Sequence, residues 1–291
     1  SAPVGGITML QGLAGLEADE HTRVIVLVAK PPAPEVAEAV LHAAANCAKP
    51  VVVAFLGGDR DLIERAGGYA ADTLEEAALL AVAIDRGEKE LGIGDQLDEL
   101  AALAQQEVKK LGRGQRYVRG LYSGGTLCYE AMLLLEKLVG PVHSNTPLPS
   151  GCRLCDSWVS VADTVVDLGD DEFTRGRPHP MFDPTLRLQR LEREAADPEV
   201  AVVLMDVVLG YGAHPDPGSV LAEGVARAKE LAASQGRYLA VVASVCGTSG
   251  DPQSLGKQEA ALRRAGVVLQ PSNARAARLA GLIASMARSR A

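Results

Sequence analysis

The stretch Arg119-Gly120-Leu121-Tyr122-Ser123-Gly124-Gly125-Thr126-Leu127-Cys128-Tyr129-Glu130-Ala131 decides how the chain is read. Residues 117–122 have the composition of a strand, and a long apolar helix follows at 127–138. Between them, Gly124 and Gly125 lack the Cβ atoms that would hold an anion at a distance, and they permit positive φ. Ser123 or Thr126 can cap the helix, whose first N–H groups point outward with the positive end of the dipole. A strand, a small-residue loop and a helix amino terminus together make a place for a phosphate or carboxylate. An ordinary βα turn with a serine cap is the competing reading.

Downstream of this stretch, strands at 160–168, 201–208, 238–244 and 267–269 alternate with helices at 184–196, 219–234, 253–265 and 273–287. Asp183 as N-cap and Pro184 at the first helical position mark one helix start. With the 117–122 strand and its helix, this is a complete flavodoxin-like alternation of five strands and five helices. Upstream, helical spacing at 4–16 is followed by a β-branched run, Val24-Ile25-Val26-Leu27-Val28. A helix at 35–48, a strand at 51–56, a short strand at 67–70 and a helix from Thr73 to Ile84 complete that part. Three strands are few for a doubly wound domain, so the first domain is expected to be truncated at its amino-terminal side. Charge density rises and strand candidates vanish after about residue 86. The expected division is a domain over 1–87, a linker over 88–115 and a second domain over 116–291, all α/β with parallel sheets.

The length of 291 residues suits two domains with separate cores. Aromatic residues make up 3% of the chain, so Ala, Val, Leu and Gly build those cores. A net charge of −8, without a basic cluster, argues against nucleic acid as a partner. No apolar run reaches the roughly 18 residues of a membrane span, and no signal peptide opens the chain. Five scattered cysteines suit a reducing cytoplasm. Cys152 and Cys155 form a lone Cys-x-x-Cys, and His143 and His179 are the only nearby candidates to complete a zinc site. The pair is read as two loop thiols, with no metal.

Ligands of an open parallel sheet sit outside the carboxyl ends of its strands. Five special loops fall at such ends: Gly57-Gly58, Ser123-Gly124-Gly125-Thr126, residues 169–183, Gly210-Tyr211-Gly212 and Gly247-Thr248-Ser249-Gly250. Their coincidence points to a small anionic ligand. The 169–183 loop carries Asp170 and Asp171, then Arg175 and Arg177, then His179 between two prolines. Arginine suits bidentate recognition of carboxylate or phosphate, and His179 can donate a proton or hold an anion. The competing reading is a rigid surface loop whose charges pair internally. Asp206 lies in an apolar strand and needs a partner there, Arg177 or a nest of backbone amides. His214, also at a strand end, has a weaker claim.

Leu121-Tyr122-Ser123-Gly124-Gly125-Thr126-Leu127, Asp167-Leu168-Gly169-Asp170-Asp171, Gly176-Arg177-Pro178-His179-Pro180-Met181 and Asp183-Pro184-Thr185-Leu186-Arg187 together resemble the FdrA family. That family lies within the succinyl-CoA synthetase superfamily. Val4-Gly5-Gly6-Ile7 and Val28-Ala29-Lys30-Pro31-Pro32 extend the resemblance over nearly the whole chain. It implies that residues 1–87 are a partial CoA-ligase-like domain of the α-subunit type. Residues 116–291 correspond to the carboxy-terminal domain of the β subunit. Ser123-Gly124-Gly125-Thr126 then opens the helix that cradles phosphohistidine in the synthetases, and Gly247-Thr248-Ser249 resembles their Gly-Thr-Asn loop. The synthetases carry a histidine in a Gly-His-Ala-Gly context after the strand matching residues 51–56. Residues 57–68 here contain no histidine, which puts a phosphohistidine relay in doubt. The resemblance also implies that the chain is the carboxy-terminal portion of a longer protein.

The same resemblance implies a subunit of an oxamate carbamoyltransferase in allantoin nitrogen catabolism, with phosphate or carbamoyl phosphate as substrate. Arg177 and His179 are then the catalytic candidates. Ser123, Gly124, Gly125, Thr126, Gly210, Gly247 and Thr248 are the anion-binding candidates, supported by Asp183 and Asp206. The alternatives are an acyl-CoA synthetase using CoA and parts outside this chain, and a non-catalytic scaffold subunit. Partner subunits or a homo-oligomer are expected.

Overall fold

The computed structural model describes residues 4–88 and 96–290. They form two units, 1–94 and 95–291. The first contains α1 (Ile7–Ala18), β1 (Ile25–Ala29), α2 (Pro34–Ala45), β2 (Val51–Phe55), α3 (Arg60–Arg65), β3 (Tyr69–Ala70) and α4 (Leu74–Arg86). Its strands pair in parallel in the order β1-β2-β3. Every residue of β2 is buried, as an unbroken Val-Val-Val-Ala-Phe run between two helical layers requires. Thr73 caps α4 by accepting from the Glu76 amide at 3.1 Å, at the start read from the sequence. The sequence reading missed α3, a short helix whose N-cap Asp59 accepts from the Leu62 amide at 3.3 Å.

The second unit contains α5 (Gln96–Val108), β4 (Tyr117–Tyr122), α6 (Gly125–Val139), β5 (His143–Ser144), β6 (Cys152–Arg153), β7 (Thr164–Asp167) and α7 (Asp171–Thr174). It continues through α8 (Thr185–Ala196), β8 (Val200–Val208), α9 (Pro217–Ser234), β9 (Ala240–Cys246), α10 (Leu255–Arg264), β10 (Val268–Gln270) and α11 (Asn273–Arg288). The seven-stranded sheet runs β10-β9-β8-β4-β7-β5-β6, with every pair parallel. Its five principal strands have the flavodoxin-like order 2-1-3-4-5. The very short β5 lies within the Pro- and Ser-rich stretch 140–151, and the equally short β6 follows it.

Helices α5, α6 and α11 cover one face, where Leu100, Ala104, Leu135, Ala280 and Ile283 meet Val118, Leu204 and Val242. Helices α8, α9 and α10 cover the other, where Leu191, Val225 and Leu262 meet Leu121, Val203 and Val241. The linker expected over 88–115 is corrected from residue 96 onward by α5, and residues 89–95 lie outside the described ones. Leu100, Ala104 and Val108 recur every fourth residue, and with Leu111 they form a buried stripe in the core of the second unit. The exposed charges Asp98, Glu99, Lys109 and Lys110 hide the stripe from a count of composition, while Glu107 is buried and accepts from the Tyr238 hydroxyl at 2.6 Å.

The expected cap of α8 also shifts. Pro184 occupies the N-cap position, while the Asp183 carboxylate accepts from the Thr185 amide at 3.0 Å and the Thr185 hydroxyl at 2.6 Å. Among the described residues no helix is long and apolar enough to cross a membrane, and no cluster of metal-ligating side chains forms. Cys152, on β6, and Cys155 are free and exposed.

Candidate functional site

The sheet order reverses between β4 and β8, because β4 leads into α6 on one face and β8 into α9 on the other. The crevice at this switch point lies outside the carboxyl ends of the two strands. Ser123 closes β4 there, and Gly210, at φ 129°, closes β8.

Ser123 is almost fully buried, and its role differs from the cap expected of it. Its amide donates to Asp206 Oδ1 at 3.0 Å and its hydroxyl donates to Oδ2 at 2.7 Å. The N-cap of α6 is Gly124, without any side-chain cap, and Thr126 is exposed in the first turn. The positive φ anticipated here is also not used, since Gly124 is extended at φ −160°. A side chain at 124 would crowd Met181, whose methyl lies 3.2 Å from where a Cβ would stand and would have to shift by a few tenths of an ångström. The first turn of α6 therefore presents the Gly125, Thr126 and Leu127 amides without a protein cap among the described residues.

Asp206 has no solvent exposure, and its ion-pair partner is Arg187 rather than Arg177. Arg187 Nη2 lies 2.5 Å from Asp206 Oδ1, and the same guanidinium donates to the Leu121 carbonyl at 2.9 and 3.1 Å and to the Asp206 carbonyl. This one side chain ties β4 to β8 behind the cradle. Burying two charges is costly unless further hydrogen bonds accompany the pair, and here Nε and Nη2 of Arg187 are bonded and both Asp206 carboxylate oxygens accept from Ser123. Arg177 is exposed and has no side-chain partner among the described residues.

The 179–181 turn lies over the ends of both β4 and β7. His179 Nδ1 accepts from the Met181 amide at 3.2 Å. Its Nε2 lies 2.8 Å from where a Cβ on Gly169 would sit, a point also only 2.6 Å from the Ser123 carbonyl oxygen. Only glycine fits at 169, and its absent side chain lets the imidazole approach the β4 loop. His214 joins this turn to the β8 loop, its amide donating to the Met181 carbonyl at 2.8 Å. Charge pairing within the 169–183 loop is loose, with Arg175 and Asp171 4.0 Å apart and both exposed.

Gly247 and Thr248 follow β9, one strand beyond Gly210, and so lie on the order of 10 Å from β4 by strand spacing. The Thr248 amide and hydroxyl both turn to Asp251 Oδ2, at 2.6 and 3.3 Å. The structure thus brings Ser123–Thr126, Gly210, Gly169, His179 and His214 to one crevice. Thr248 stands at its margin, and Asp183 serves the start of α8.

Three further residues shape the site and carried no role in the sequence reading. Besides Arg187, Gln253 Oε1 accepts from the Gly210 amide at 3.1 Å, and its Nε2 donates to the carbonyls of Gly210 at 2.7 Å and His214 at 3.3 Å. Asn273, on α11, donates to the Leu127 carbonyl at 2.9 Å and to Glu130 at 2.7 Å, and accepts from the Tyr122 hydroxyl at 2.9 Å. Burial, with Asp206 nearby, pushes the Tyr122 hydroxyl well above its ordinary value, so it remains a donor. The start of α6 is thereby held from below.

A space of only about 10 Å³ is enclosed beneath Met181 and Pro180, lined also by Ser123 and Arg187. A hollow of about 440 Å³ elsewhere in this unit, lined by residues 111–115, Ala287 and Arg290, belongs to other loops than those at the switch point.

The family model described as CoA-ligase matches residues 121–283. The uncharacterized protein YahF of Escherichia coli (strain K12) is 43% identical over 277 residues, covering 94% of this chain and 53% of its own length. The chain therefore spans about half the length of this relative. Among solved structures, it aligns with a dinucleotide-forming acetyl-coenzyme A synthetase 1 of Ca. Korarchaeum cryptofilum, solved with phosphate and ADP. That alignment has 16% identity and a TM-score of 0.41, covering 96% of this chain and 57% of that one. The PH0766 protein of Pyrococcus horikoshii OT3 aligns at 13% identity with a TM-score of 0.38, covering 96% and 55%.

Proposed function

The chain belongs to the CoA-ligase family, and from that premise we propose that its second unit holds a substrate-borne phosphoryl or carboxylate group at the start of α6. The observation that carries this reading is the uncapped first turn of α6 at the topological switch point. Ser123 supports the cradle from behind through Asp206 and supplies no cap of its own. Gly124 and Gly125 keep the approach open, while Gly210, Gly247 and Thr248 form the neighbouring loops.

Within the family, the FdrA-like motifs favour a subunit of an oxamate carbamoyltransferase. In that reaction a phosphate oxygen attacks the carbamoyl carbon of oxalurate. The bond to the oxamate nitrogen breaks and that nitrogen takes up a proton, leaving oxamate and carbamoyl phosphate. Arg177, without a side-chain partner among the described residues, neutralises the charge that develops on the transferring group, and His179 donates the proton to the departing nitrogen. An acyl-CoA synthetase activity is the second reading, favoured by family membership. The lack of histidine in residues 57–68 weighs against it.

The test is oxalurate phosphorolysis by the enzyme reconstituted with the polypeptide that completes it. Arg177→Ala and His179→Gln should each reduce kcat on the order of a hundredfold or more, as expected for a charge stabiliser and a general acid. Unchanged kinetics in both variants would contradict the assignment. Labelled phosphate should leave no acid-labile phosphohistidine on the protein, and its appearance would favour the synthetase reading.

A further inference from the structure

The Cys-x-x-Cys pair lies outside the cradle but reaches it through side chains. β6 is the last strand of the seven-stranded sheet and consists of Cys152 and Arg153. Ladder bonds dock this stretch onto β5 and its approach. The Cys152 amide donates to the Val142 carbonyl and the Leu154 amide to the Ser144 carbonyl, both at 3.0 Å. Arg153, between the two cysteines, donates from Nη1 to the Asn145 carbonyl at 2.7 Å. Asn145 is buried, and its side chain carries the pairing of β5 on to the end of β7. Its Oδ1 accepts from the Asp167 amide at 2.9 Å, and its Nδ2 donates to the Asp167 carbonyl at 3.0 Å. The Asp167 carboxylate in turn accepts from the Gly169 amide at 3.0 Å. Over Gly169 fits the His179 imidazole, whose Nε2 lies 2.8 Å from where a Cβ would stand.

Both thiols are free and exposed. Only two residues separate them, yet the backbone holds them apart. The ladder bonds keep 152–154 extended, and extended backbone advances about 3.3 Å per residue, which sets the two Cα atoms roughly 9–10 Å apart. A disulfide spans roughly 4.4–6.8 Å between Cα atoms, a separation that four residues reach in a turn. A bond between the two sulfurs and the pairing of Leu154 with Ser144 therefore exclude each other. Two residues long, and paired on one side only among the described strands, β6 can open without the rest of the sheet.

We infer that Cys152 and Cys155 form a dithiol site for small-molecule disulfides of the glutathione class, and that its oxidation displaces the contact between Gly169 and His179. One cysteine thiolate attacks a sulfur of the small disulfide, forming a mixed disulfide and releasing one thiolate. The second cysteine thiolate attacks the protein sulfur of that mixed disulfide, closing the Cys152–Cys155 bond and releasing the second thiolate. The two cysteines give up two protons and two electrons, and the small disulfide is reduced to two thiols. Closing the bond draws 152–155 into a turn and takes Arg153 from the Asn145 carbonyl. The Asn145 bridge that fixes Asp167 and Gly169 then loosens. An effect on anion binding at α6 rests on the function proposed above, whereas the conformational change does not.

The test treats the ¹⁵N-labelled chain with glutathione disulfide and follows it by peptide mapping and amide spectra. The peptide carrying Cys152 and Cys155 should lose two hydrogens, and mapping separates it from Cys246, which is also exposed. The Leu154 amide should exchange at least about tenfold faster. The Asp167 and Gly169 amides and the His179 ring protons should shift, and dithiothreitol should reverse every change. Cys155→Ser should take up one glutathione at Cys152 and leave Asp167 and Gly169 unmoved. Arg153→Met should still close the bond, but its Asp167 and Gly169 amides should stand displaced in the reduced protein and move little on oxidation. Glutathione on both cysteines without an internal bond would overturn the inference. So would an internal bond that leaves Leu154 protected and the Gly169 amide in place.

Discussion

Arg187 and Asp206 form a buried ion pair, 2.5 Å apart, directly behind the loop that opens α6. The pair joins two strands that diverge at the switch point, through the Leu121 carbonyl on one side and Asp206 on the other. Arg187→Met should destabilise the protein by about 3–5 kcal/mol, because it leaves Asp206 buried without a counter-charge. Urea unfolding monitored by far-ultraviolet dichroism measures this. A loss below about 0.5 kcal/mol, the range of ordinary surface substitutions, would mean that the pair holds nothing together.

Gly169 is the contact on which the position of His179 depends. An alanine there would place its Cβ 2.6 Å from the Ser123 carbonyl oxygen and 2.8 Å from His179 Nε2. Gly169→Ala should cost about 1–3 kcal/mol through overpacking and displace the imidazole. The measurement is the chemical shift of the His179 ring protons, which should move in the variant and stay in a control such as Gly256→Ala, where a Cβ meets open space.

Gln253 satisfies three backbone groups of the β8 loop. Gln253→Leu should destabilise by about 1–3 kcal/mol, the cost of leaving a buried amide or carbonyl unpaired. The Gly210 and His214 amides should then exchange faster than those of β8 itself. Unaltered exchange at both positions would assign the loop's conformation to other contacts.

Asp183 titrates below its ordinary value, held there first by the hydrogen bond from the Thr185 hydroxyl and next by the Thr185 amide. A depressed native value means that the charged form is favoured by folding. Its stabilising contribution is therefore complete above the unfolded value near 3.8 and is lost as the pH falls through the lower native one. Asp183→Asn should lower stability at pH 7, and the difference from the parent protein should vanish toward pH 2–3. A difference independent of pH would identify a steric effect.

Much of this architecture is legible in the residues. Val200–Val208 is apolar but for Asp206, as a strand buried on both faces requires, and it lies inside the sheet between β4 and β9. The special loops fall at strand ends because small residues gather where chain direction changes, which locates the crevice without locating its partners. Arg187, Arg190 and Glu194 recur at helical spacing, yet all three are buried. Their partners, among them Asp206, Arg119 and the Ser157 carbonyl, lie many residues away, and periodicity carries no information about them. For the same reason the need of Asp206 for a partner is legible while its ion-pair partner is not: of the two expected, Arg177 or a nest of backbone amides, the Ser123 amide does donate to it, and the counter-charge is Arg187. Asn273 escaped notice as an ordinary helix-start residue, since its bonds to Tyr122 and α6 span more than 140 positions.

The account turns on the first turn of α6. Inorganic phosphate titrated into the ¹⁵N-labelled chain at constant ionic strength tests it directly. The Gly125, Thr126 and Leu127 amides should shift together along one saturable curve, while the Ser123 amide, already given to Asp206, should move far less. Saturable shifts absent from all three amides, at phosphate concentrations that perturb other surface residues, would contradict the assignment of this loop as an anion cradle.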